Sequence, residues 1–317
     1  MNEEQQNYWE ERERENIKLE QMKDAEIIAK LEQIIEDTRD NIERDIEAMF
    51  GRYADREGIT REEARQRANR LDVEHMQRKA KRMVQDKDFS PTANRQLSLY
   101  NLKMRASREE LLKAQLNAHL VAMANSEVLT FANYLSSSVS AELVRQAGIL
   151  GQGVQITDSV LLSLVNASFQ GATWSSRIWS HMDDLRSELY RTINNAILRG
   201  VHPYRDVKRY RERFDVTASQ AKRLLITETA RVQIEAQKLS YEKNEIAQYQ
   251  YIAVIDEKTT DKCRGLNLEV FDVKDMKPGI NAPPTHPNCR SSTSAYIGNW
   301  RESFFEERAG RYGFEAD

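Results

Sequence analysis

The chain has 317 residues, of which 31% are charged and 40% hydrophobic, and its net charge is −3 at pH 7. This length suits one large or two ordinary domains, and the near balance of charge gives no overall attraction to nucleic acid. Two cysteines cannot form the disulfide framework of a small secreted protein, and no secretory leader or apolar run of about 18 residues is present. We therefore expect a protein made in a reducing cytoplasm, with no membrane span.

The first 90 residues are densely charged and carry few aliphatic side chains. From Leu31 onward, apolar residues recur at helical spacing and form a single stripe. The stripe consists of Leu31, Ile35, Ile42, Ile46 and Met49. A helix with one narrow apolar stripe needs a neighbour to cover it. We predict that residues 1–90 form an extended, charged helical docking region rather than part of a compact core.

The segment 61–87 is rich in arginine and lysine, with glutamate and aspartate between them. Paired charges of this kind are typical of an exposed helix. A basic face that contacts DNA is the second interpretation. Both interpretations stay open, and the second would allow contact with DNA.

Residues 91–216 are predicted to form a helical body. Thr157 or Asp158 can cap the helix that follows them, and Leu185, Leu189, Ile193 and Ile197 form a clean helical stripe. A short helix is expected over 204–214. A new helix is expected at Thr217, because Thr217 and Gln220 have the spacing of a capping box.

The character of the sequence changes after Asn244. Aromatic and β-branched residues predict strands within 247–256 and 266–273, and regular structure is unlikely in the proline-rich stretch that follows. The fold class predicted is mainly α, with a long helical N-terminal and central body and a small C-terminal α+β module. We place that module at 217–297, followed by a tail at 298–317.

Both cysteines of the chain lie in this module, together with one of its five histidines. Cys263, His286 and Cys289 offer three ligands that suit zinc, and Asp256, Asp261 or water could be the fourth. A structural zinc usually has four protein ligands, so plain packing of buried cysteines or a disulfide are alternatives. We expect no cofactor, with zinc at this cluster as the exception that stays open.

A catalytic zinc with three protein ligands and water is a further alternative. Such a site needs a general base, for which Glu257 and Glu269 are the nearby candidates. No phosphate-binding loop, dinucleotide-binding motif or serine-nucleophile motif occurs in the chain. We therefore predict that the protein is not an enzyme.

Three stretches of the module carry a family resemblance: RLLITETARVQIEAQKLSY, YQYIAVIDEKTTDKCRGLNLEVF and PPTHPNCRS. They resemble the C-terminal domain of the phage Mu F-like head morphogenesis proteins, the minor capsid (minor head) proteins of tailed bacteriophages. The resemblance is strongest over 220–297, about a quarter of the chain. The motif residues are Thr227, Glu228, Asp256, Cys263, Pro284, His286, Cys289 and Arg290.

The resemblance implies a virion component present in few copies in the phage head. Its partners would be the portal protein and the scaffold or major capsid protein, in the host cytoplasm during procapsid assembly, and the protein could leave with the DNA during ejection. In one respect the chain departs from the family, which commonly ends the motif with Cys-Arg-Cys. Here Ser291 follows Arg290, which removes a potential metal ligand or disulfide partner.

Two architectural expectations follow. Glu228 could accept hydrogen bonds from Arg290 or from the proline-rich turn, and the cysteine–histidine cluster is expected to be a non-catalytic corner that holds this turn against the strand after Asn244. The alternative function is a metal-dependent hydrolase or toxin-like effector that uses Cys263, His286 and Cys289. A host DNA-binding protein is disfavoured by the negative net charge.

Overall fold

The computed structural model describes residues 3–51, 108–199, 207–257 and 259–296. Within them the chain is mainly helical with a small C-terminal sheet, which confirms the predicted fold class. The elements in chain order are α1 Glu3–Gly51, α2 Arg108–Leu150, α3 Asp158–Val165, α4 Trp174–Arg199, α5 Val207–Lys243, β1 Gln248–Ile252, α6 Asp261–Leu266, β2 Val270–Asp272, a 3-10 turn Val273–Asp275, and β3 Ser292–Tyr296. The basic segment 61–87 and the tail 298–317 lie outside the described residues.

Two compact units divide the chain. The first comprises, among the described residues, 3–31, 128–177 and 220–296, and the second comprises 32–51, 108–127, 178–199 and 207–219. The predicted boundaries at residues 90 and 216 stay predictions.

The sheet of the first unit has the strand order β2-β1-β3, and both pairings are antiparallel. Gln250 of β1 lies opposite Val270 on one side and Ser294 on the other. Four of the five residues of β1 are buried, as expected for a central strand that is covered on both faces. Strands β1 and β2 fall where the aromatic and β-branched residues predicted them.

The third strand was not predicted from the sequence. Its residues STSAY carry two serines and one threonine and come directly after a proline-rich turn, so no hydrophobic alternation marks them. Ser292, Thr293 and Ser294 are nevertheless buried. The hydroxyls of Ser292 and Thr293 bond to polar partners elsewhere in the first unit.

Two hydrophobic clusters form the core around the sheet. One packs the helix α5 against β1 through Ile234, Tyr241 and Tyr249, and the second joins Tyr251 to both cysteines. Further members of the first cluster are Val273, Met276 and Ala282. Because Tyr249 and Tyr251 alternate with Gln250 along β1, the strand places both tyrosines on the same face.

Within the first unit, helix α1 packs against the chain's own helices. Ile17 and Ile28 are buried, Asp24 accepts a hydrogen bond from Tyr134 of α2 at 2.8 Å, and Glu20 accepts one from Gln233 of α5 at 2.7 Å. In this part of α1 the chain's own helices cover the buried side chains, and the docking role predicted for residues 1–90 stays a prediction. The apolar stripe is narrow, but buried polar contacts widen the surface that this helix shares with its neighbours.

The second unit buries apolar stripes from four helices. Ile35, Ile42 and Ile46 of the predicted α1 stripe are buried, and so are Leu185, Leu189 and Ile193 of the predicted α4 stripe. Met49 and Ile197, the remaining members, have side chains outside the described set. The unit also contains a hydrogen bond between the side chains of His119 and Asp45 and an ion pair between Arg211 and Glu43. Both predicted stripes are thus core-facing.

Helix α5 is continuous from Val207 to Lys243, so the predicted break before Thr217 is wrong. The Thr217 hydroxyl donates to the carbonyl of Arg213 within the helix, at 3.0 Å, instead of accepting from an N–H group. Its capping-box spacing was therefore incidental. In contrast, Thr157 does cap α3, because its side chain accepts from the N–H of Val160.

Candidate functional site

Cys263 lies in the first turn of α6, between strands β1 and β2. The hydroxyl of Thr260 caps this helix and accepts from the N–H of Cys263 at 3.4 Å. The sulfur of Cys263 lies 3.3 Å from the hydroxyl of Tyr251 on β1, and both side chains are buried. Helix α6 and strand β1 therefore fix the position of the first candidate ligand.

The proline-rich turn supplies the other members of the cluster. The Sγ of Cys289 lies 3.8 Å from the Sγ of Cys263, and the Nε2 of His286 lies 3.2 Å from the same sulfur. Thr285 adds a hydroxyl at 3.1 Å from Cys263 Sγ. One ligand atom from each of Cys263, His286 and Cys289 lies within 4.8 Å of the other two. The structure thus brings together the three residues that the sequence singled out as metal ligands.

The two thiols have opposite pKa shifts. A hydrogen bond from Cys289 lowers the pKa of Cys263 against the effect of burial, and the hydroxyls of Thr285, Tyr251 and Ser291 add to this. The hydrogen bond to Cys263 raises the pKa of Cys289, and burial and the charge on Cys263 raise it further. Cys263 is therefore the thiol of the pair that loses its proton more readily.

Asp256 and Arg290 join the loop after β1 to the end of the proline-rich turn. Their side chains form a partly exposed ion pair, and the other oxygen of Asp256 accepts from the Thr259 hydroxyl at 2.9 Å. The main-chain carbonyl of Asp256 accepts from Arg264 of α6 at 2.7 Å. Pro284 is buried within the turn, after a cis peptide bond to Pro283. These motif residues connect three segments around the cysteines.

Thr227 fixes the turn to helix α5. Its hydroxyl donates to the carbonyl of Arg223 at 2.7 Å and accepts from the N–H of Asn288 at 3.1 Å. Asn288 has a positive φ of 60°, so its N–H points out of the turn toward α5. The predicted architectural role of Thr227 therefore has a specific contact that could carry it.

We expect Thr227→Val to lower the free energy of unfolding by about 1 kcal/mol, the usual net value of one hydrogen bond. Valine keeps the branched shape but lacks the oxygen that accepts from Asn288. Urea unfolding of the full chain measures the change, and Thr227→Ser, which keeps the hydroxyl, is the matched control. Equal stability of the valine and wild-type proteins would show that this anchor contributes nothing.

Glu228 does not bind Arg290, as the sequence had suggested it could. Its carboxylate pairs with Arg231 one turn later at 2.6 Å, and both side chains are almost fully buried. Arg231 also donates to the carbonyls of Leu164 and Val165, at 2.9 and 2.8 Å. These carbonyls belong to the last turn of α3, which has no intrahelical donors for them. Arg290 does not reach Glu228 because its guanidinium is paired with Asp256.

Sequence reasoning missed Arg231, although its three-residue spacing from Glu228 is a signal for an ion pair on a helix. The spacing alone could not show that this pair is buried, because exposed pairs such as Asp183–Arg186 have it too. What distinguishes Arg231 is the end of α3, which lies over it.

A second buried polar group was also missed. Arg145 of α2 donates to Glu13 of α1 at 2.6 Å and to Glu142 at 2.7 and 2.8 Å. Gln237 of α5 donates to Glu142 at 2.9 Å and to Ser292 of β3 at 3.1 Å, and Ser292 donates to Glu13 at 3.0 Å. We call these five residues the polar junction. It joins three helices to strand β3 within the first unit.

Burial is the main cause that raises the pKa of Glu13 above its usual value, while the charge and hydrogen bonds of Arg145 oppose the shift. The charge of Glu142 raises it further, and the hydroxyl of Ser292 lowers it. The guanidinium therefore favours the ionised form of a carboxyl that burial would otherwise hold neutral.

The chain was compared with protein families, with curated proteins and with solved structures, and a family model matches. Neither a curated protein nor a solved structure matches the chain. Among the described residues, no helix has the length and apolar character needed to span a membrane. One protein-family model does match: residues 187–294 fit the family described as Phage Mu protein F like protein, the same family that the motifs of this region resemble.

Proposed function

We propose that this protein is a structural component of the head of a tailed bacteriophage, required for head morphogenesis and without catalytic activity. The observation that carries the proposal is the match of residues 187–294 to the phage Mu F-like family. That region includes the second half of α4, all of α5 and nearly the whole of the sheet module. The family is thus represented by a folded part of the chain.

The geometry of the motif supports an architectural role. Thr227, Asp256, Cys263, His286 and Arg290 all bond to other residues of the first unit. Their bonds connect α5, the loop after β1, α6 and the proline-rich turn. Hydrogen bonds and ion pairs of this kind stabilise the fold of the module. An assembly protein binds its partners through a surface of fixed shape, which such a fold provides.

The finer assignment is a minor capsid protein in few copies that associates with the portal protein and with the scaffold or major capsid protein. It would act in the procapsid in the host cytoplasm, reside in the head interior of the virion, contact packaged DNA and leave with the genome. The sequence-based resemblance supports these statements.

The test is to inactivate the gene in the phage that encodes the chain and to supply the full chain in trans. We expect mass spectrometry to find it in purified procapsids and virions at far lower abundance than the major capsid protein, and at reduced abundance in heads that have released their DNA. Heads made without it should be fewer or defective. Its absence from procapsids and virions, with normal heads in the mutant, would refute the proposal.

The alternative of a metal-dependent hydrolase has weaker support. The sulfurs of Cys263 and Cys289 belong to residues only 1% exposed, which leaves little room for a substrate at the cluster. The candidate bases Glu257 and Glu269 are exposed side chains. Metal-dependent cleavage of DNA or peptide that His286→Ala abolishes would restore this alternative.

A further inference from the structure

The cysteine–histidine cluster is the group of side chains whose geometry goes furthest beyond the family assignment. Its three donors are two sulfurs and one imidazole nitrogen, which are the ligand types that Zn²⁺ prefers. They come from two separate segments, α6 and the proline-rich turn. Because these two segments are separated in sequence, the fold of the chain brings the three donors together.

The spacing of the donors agrees with tetrahedral coordination of zinc. With Zn–S bonds of about 2.3 Å, two sulfurs of one tetrahedral site lie about 3.8 Å apart, and a sulfur and a nitrogen lie about 3.5 Å apart. The observed separation between the sulfurs of Cys263 and Cys289 is 3.8 Å. The Nε2 of His286 is 3.2 Å from Cys263 Sγ, and all three ligand atoms lie within 4.8 Å of one another, which is close to the spacing of a tetrahedral site.

The surroundings of His286 orient it as a ligand. Its Nδ1 lies 2.8 Å from the carbonyl oxygen of Pro287, and only an N–H at this position can donate to that oxygen. With the N–H on Nδ1, Nε2 is the ring nitrogen left to bind a metal, and it lies 3.2 Å from Cys263 Sγ. A histidine that donates its other ring N–H to a backbone carbonyl is the usual arrangement at protein metal sites.

Backbone contacts hold the two cysteines where the ion would need them. The Thr260 cap positions Cys263, and the N–H of Cys289 donates to the carbonyl of His286 at 3.2 Å. Hydroxyls of Tyr251 and Thr285 surround the sulfurs at 3.1 to 4.0 Å. Such donors stabilise thiolates that bind a metal.

We propose that Cys263, His286 and Cys289 bind one Zn²⁺ ion that locks the proline-rich turn onto α6 and β1. Water occupies the fourth position, on the side where His286 is only half-buried. The ion acts as a structural element in place of a larger hydrophobic core under the turn. This proposal does not depend on the proposed role of the protein in the phage head.

The ion content of the full chain, purified without chelator, tests the proposal. We expect about one zinc per chain by elemental mass spectrometry. Replacement by cobalt should give the thiolate-to-metal charge-transfer absorption of a site with two cysteines. Chelation should lower the melting temperature of the wild-type protein, because an ion that binds only the folded state stabilises it.

The variants Cys263→Ser, Cys289→Ser and His286→Ala should each lose the zinc, whereas His119→Gln, which removes an imidazole outside the cluster, should keep it. The cobalt spectrum of the wild-type chain decides the case even if these variants fold poorly. No stoichiometric metal after incubation with excess Zn²⁺ would overturn the proposal. So would a native disulfide between the cysteines, seen as the absence of free thiols in the denatured chain.

Ser291 offers a gain-of-function test. Ser291 lies two residues after the ligand Cys289 and is half-buried, so we expect a thiol at this position to lie near the ion. We expect Ser291→Cys to replace the water with a third sulfur and to retain zinc at a chelator concentration that strips the wild type, by at least tenfold in apparent affinity. Unchanged or weaker zinc retention in a folded Ser291→Cys protein would count against the proposed position of the ion.

Discussion

Replacing Arg231 with alanine will lower the free energy of unfolding by about 3 to 5 kcal/mol, the cost of leaving a buried charge without its partner. The side chains of Arg231 and Glu228 are 2% and 1% exposed, so water cannot replace the lost guanidinium. The same change strips two carbonyls at the end of α3 of their donor. The effect therefore combines an uncompensated carboxylate with two unsatisfied acceptors.

The matched control for this variant is Arg186→Ala on α4. Arg186 also pairs with an acidic residue three positions earlier, Asp183, but these side chains are 34% and 66% exposed. An exposed pair of this kind contributes at most about 1 kcal/mol. We expect a large shift of the urea midpoint for Arg231→Ala and almost none for Arg186→Ala. Similar shifts for both would show that burial of the Glu228–Arg231 pair adds nothing.

A double variant separates the value of the pair from the cost of breaking it. Replacing both Glu228 and Arg231 with uncharged residues of similar size, as in Glu228→Gln with Arg231→Met, removes the buried charge together with its partner. We expect the double variant to be more stable than Arg231→Ala, because no carboxylate is left buried and unpaired. If the double variant is the less stable of the two, the pair itself is the stabilising element.

Replacing Arg145 with methionine will also lower the free energy of unfolding by about 3 to 5 kcal/mol. Arg145 is the cation of the polar junction, and it lies between Glu13 and Glu142, whose side chains are 2% and 4% exposed. Without it, two buried carboxyls face each other. Methionine preserves most of the length of the side chain, so the loss reports the charge and its hydrogen bonds.

This defect should depend on pH in a defined direction. Burial already raises the pKa of Glu13 in the folded chain, and loss of Arg145 removes the causes that lower it. The folded variant then binds a proton more tightly than the unfolded chain, so its stability falls as pH rises from the unfolded pKa through the raised folded pKa. We expect Arg145→Met to be closer to wild-type stability at about pH 5 than at about pH 8.

Urea unfolding at both pH values measures this difference, and Arg191→Met is the control, because Arg191 pairs with Glu188 on α4 and is 55% exposed. The control should lose little stability at either pH. A deficit of Arg145→Met that is independent of pH, or greater in acid, would contradict the role assigned to Glu13.

Strand β3 illustrates why the polar junction escaped prediction. Glu13 is separated from Arg145 by 132 positions and from Ser292 by 279. No spacing rule connects residues at such distances, and serine and threonine in STSAY carry no hydrophobic alternation. Ser292 and Thr293 can be buried because Gln237 bonds to both of them and Glu13 accepts a hydrogen bond from Ser292.

The parts of this protein that depend on local periodicity and local motifs could be predicted from the sequence alone. The stripes Leu31–Ile46 and Leu185–Ile193 face the core because their spacing follows the helical repeat, and β1 and β2 follow their aromatic and β-branched content. Cys263, His286 and Cys289 could be grouped because few other residues of the chain have their chemistry, and the structure brings their ligand atoms together.

Which charged residues are buried, and with which residues they pair, depends on the tertiary structure. Glu228 and Asp183 each have an arginine three positions later, yet the side chain of Arg231 is 2% exposed and that of Arg186 is 34% exposed. The difference comes from the end of α3, whose free carbonyls need the donors of Arg231. Pairing of this kind depends on which elements pack together, a long-range property that the hydrophobic pattern of one helix does not contain.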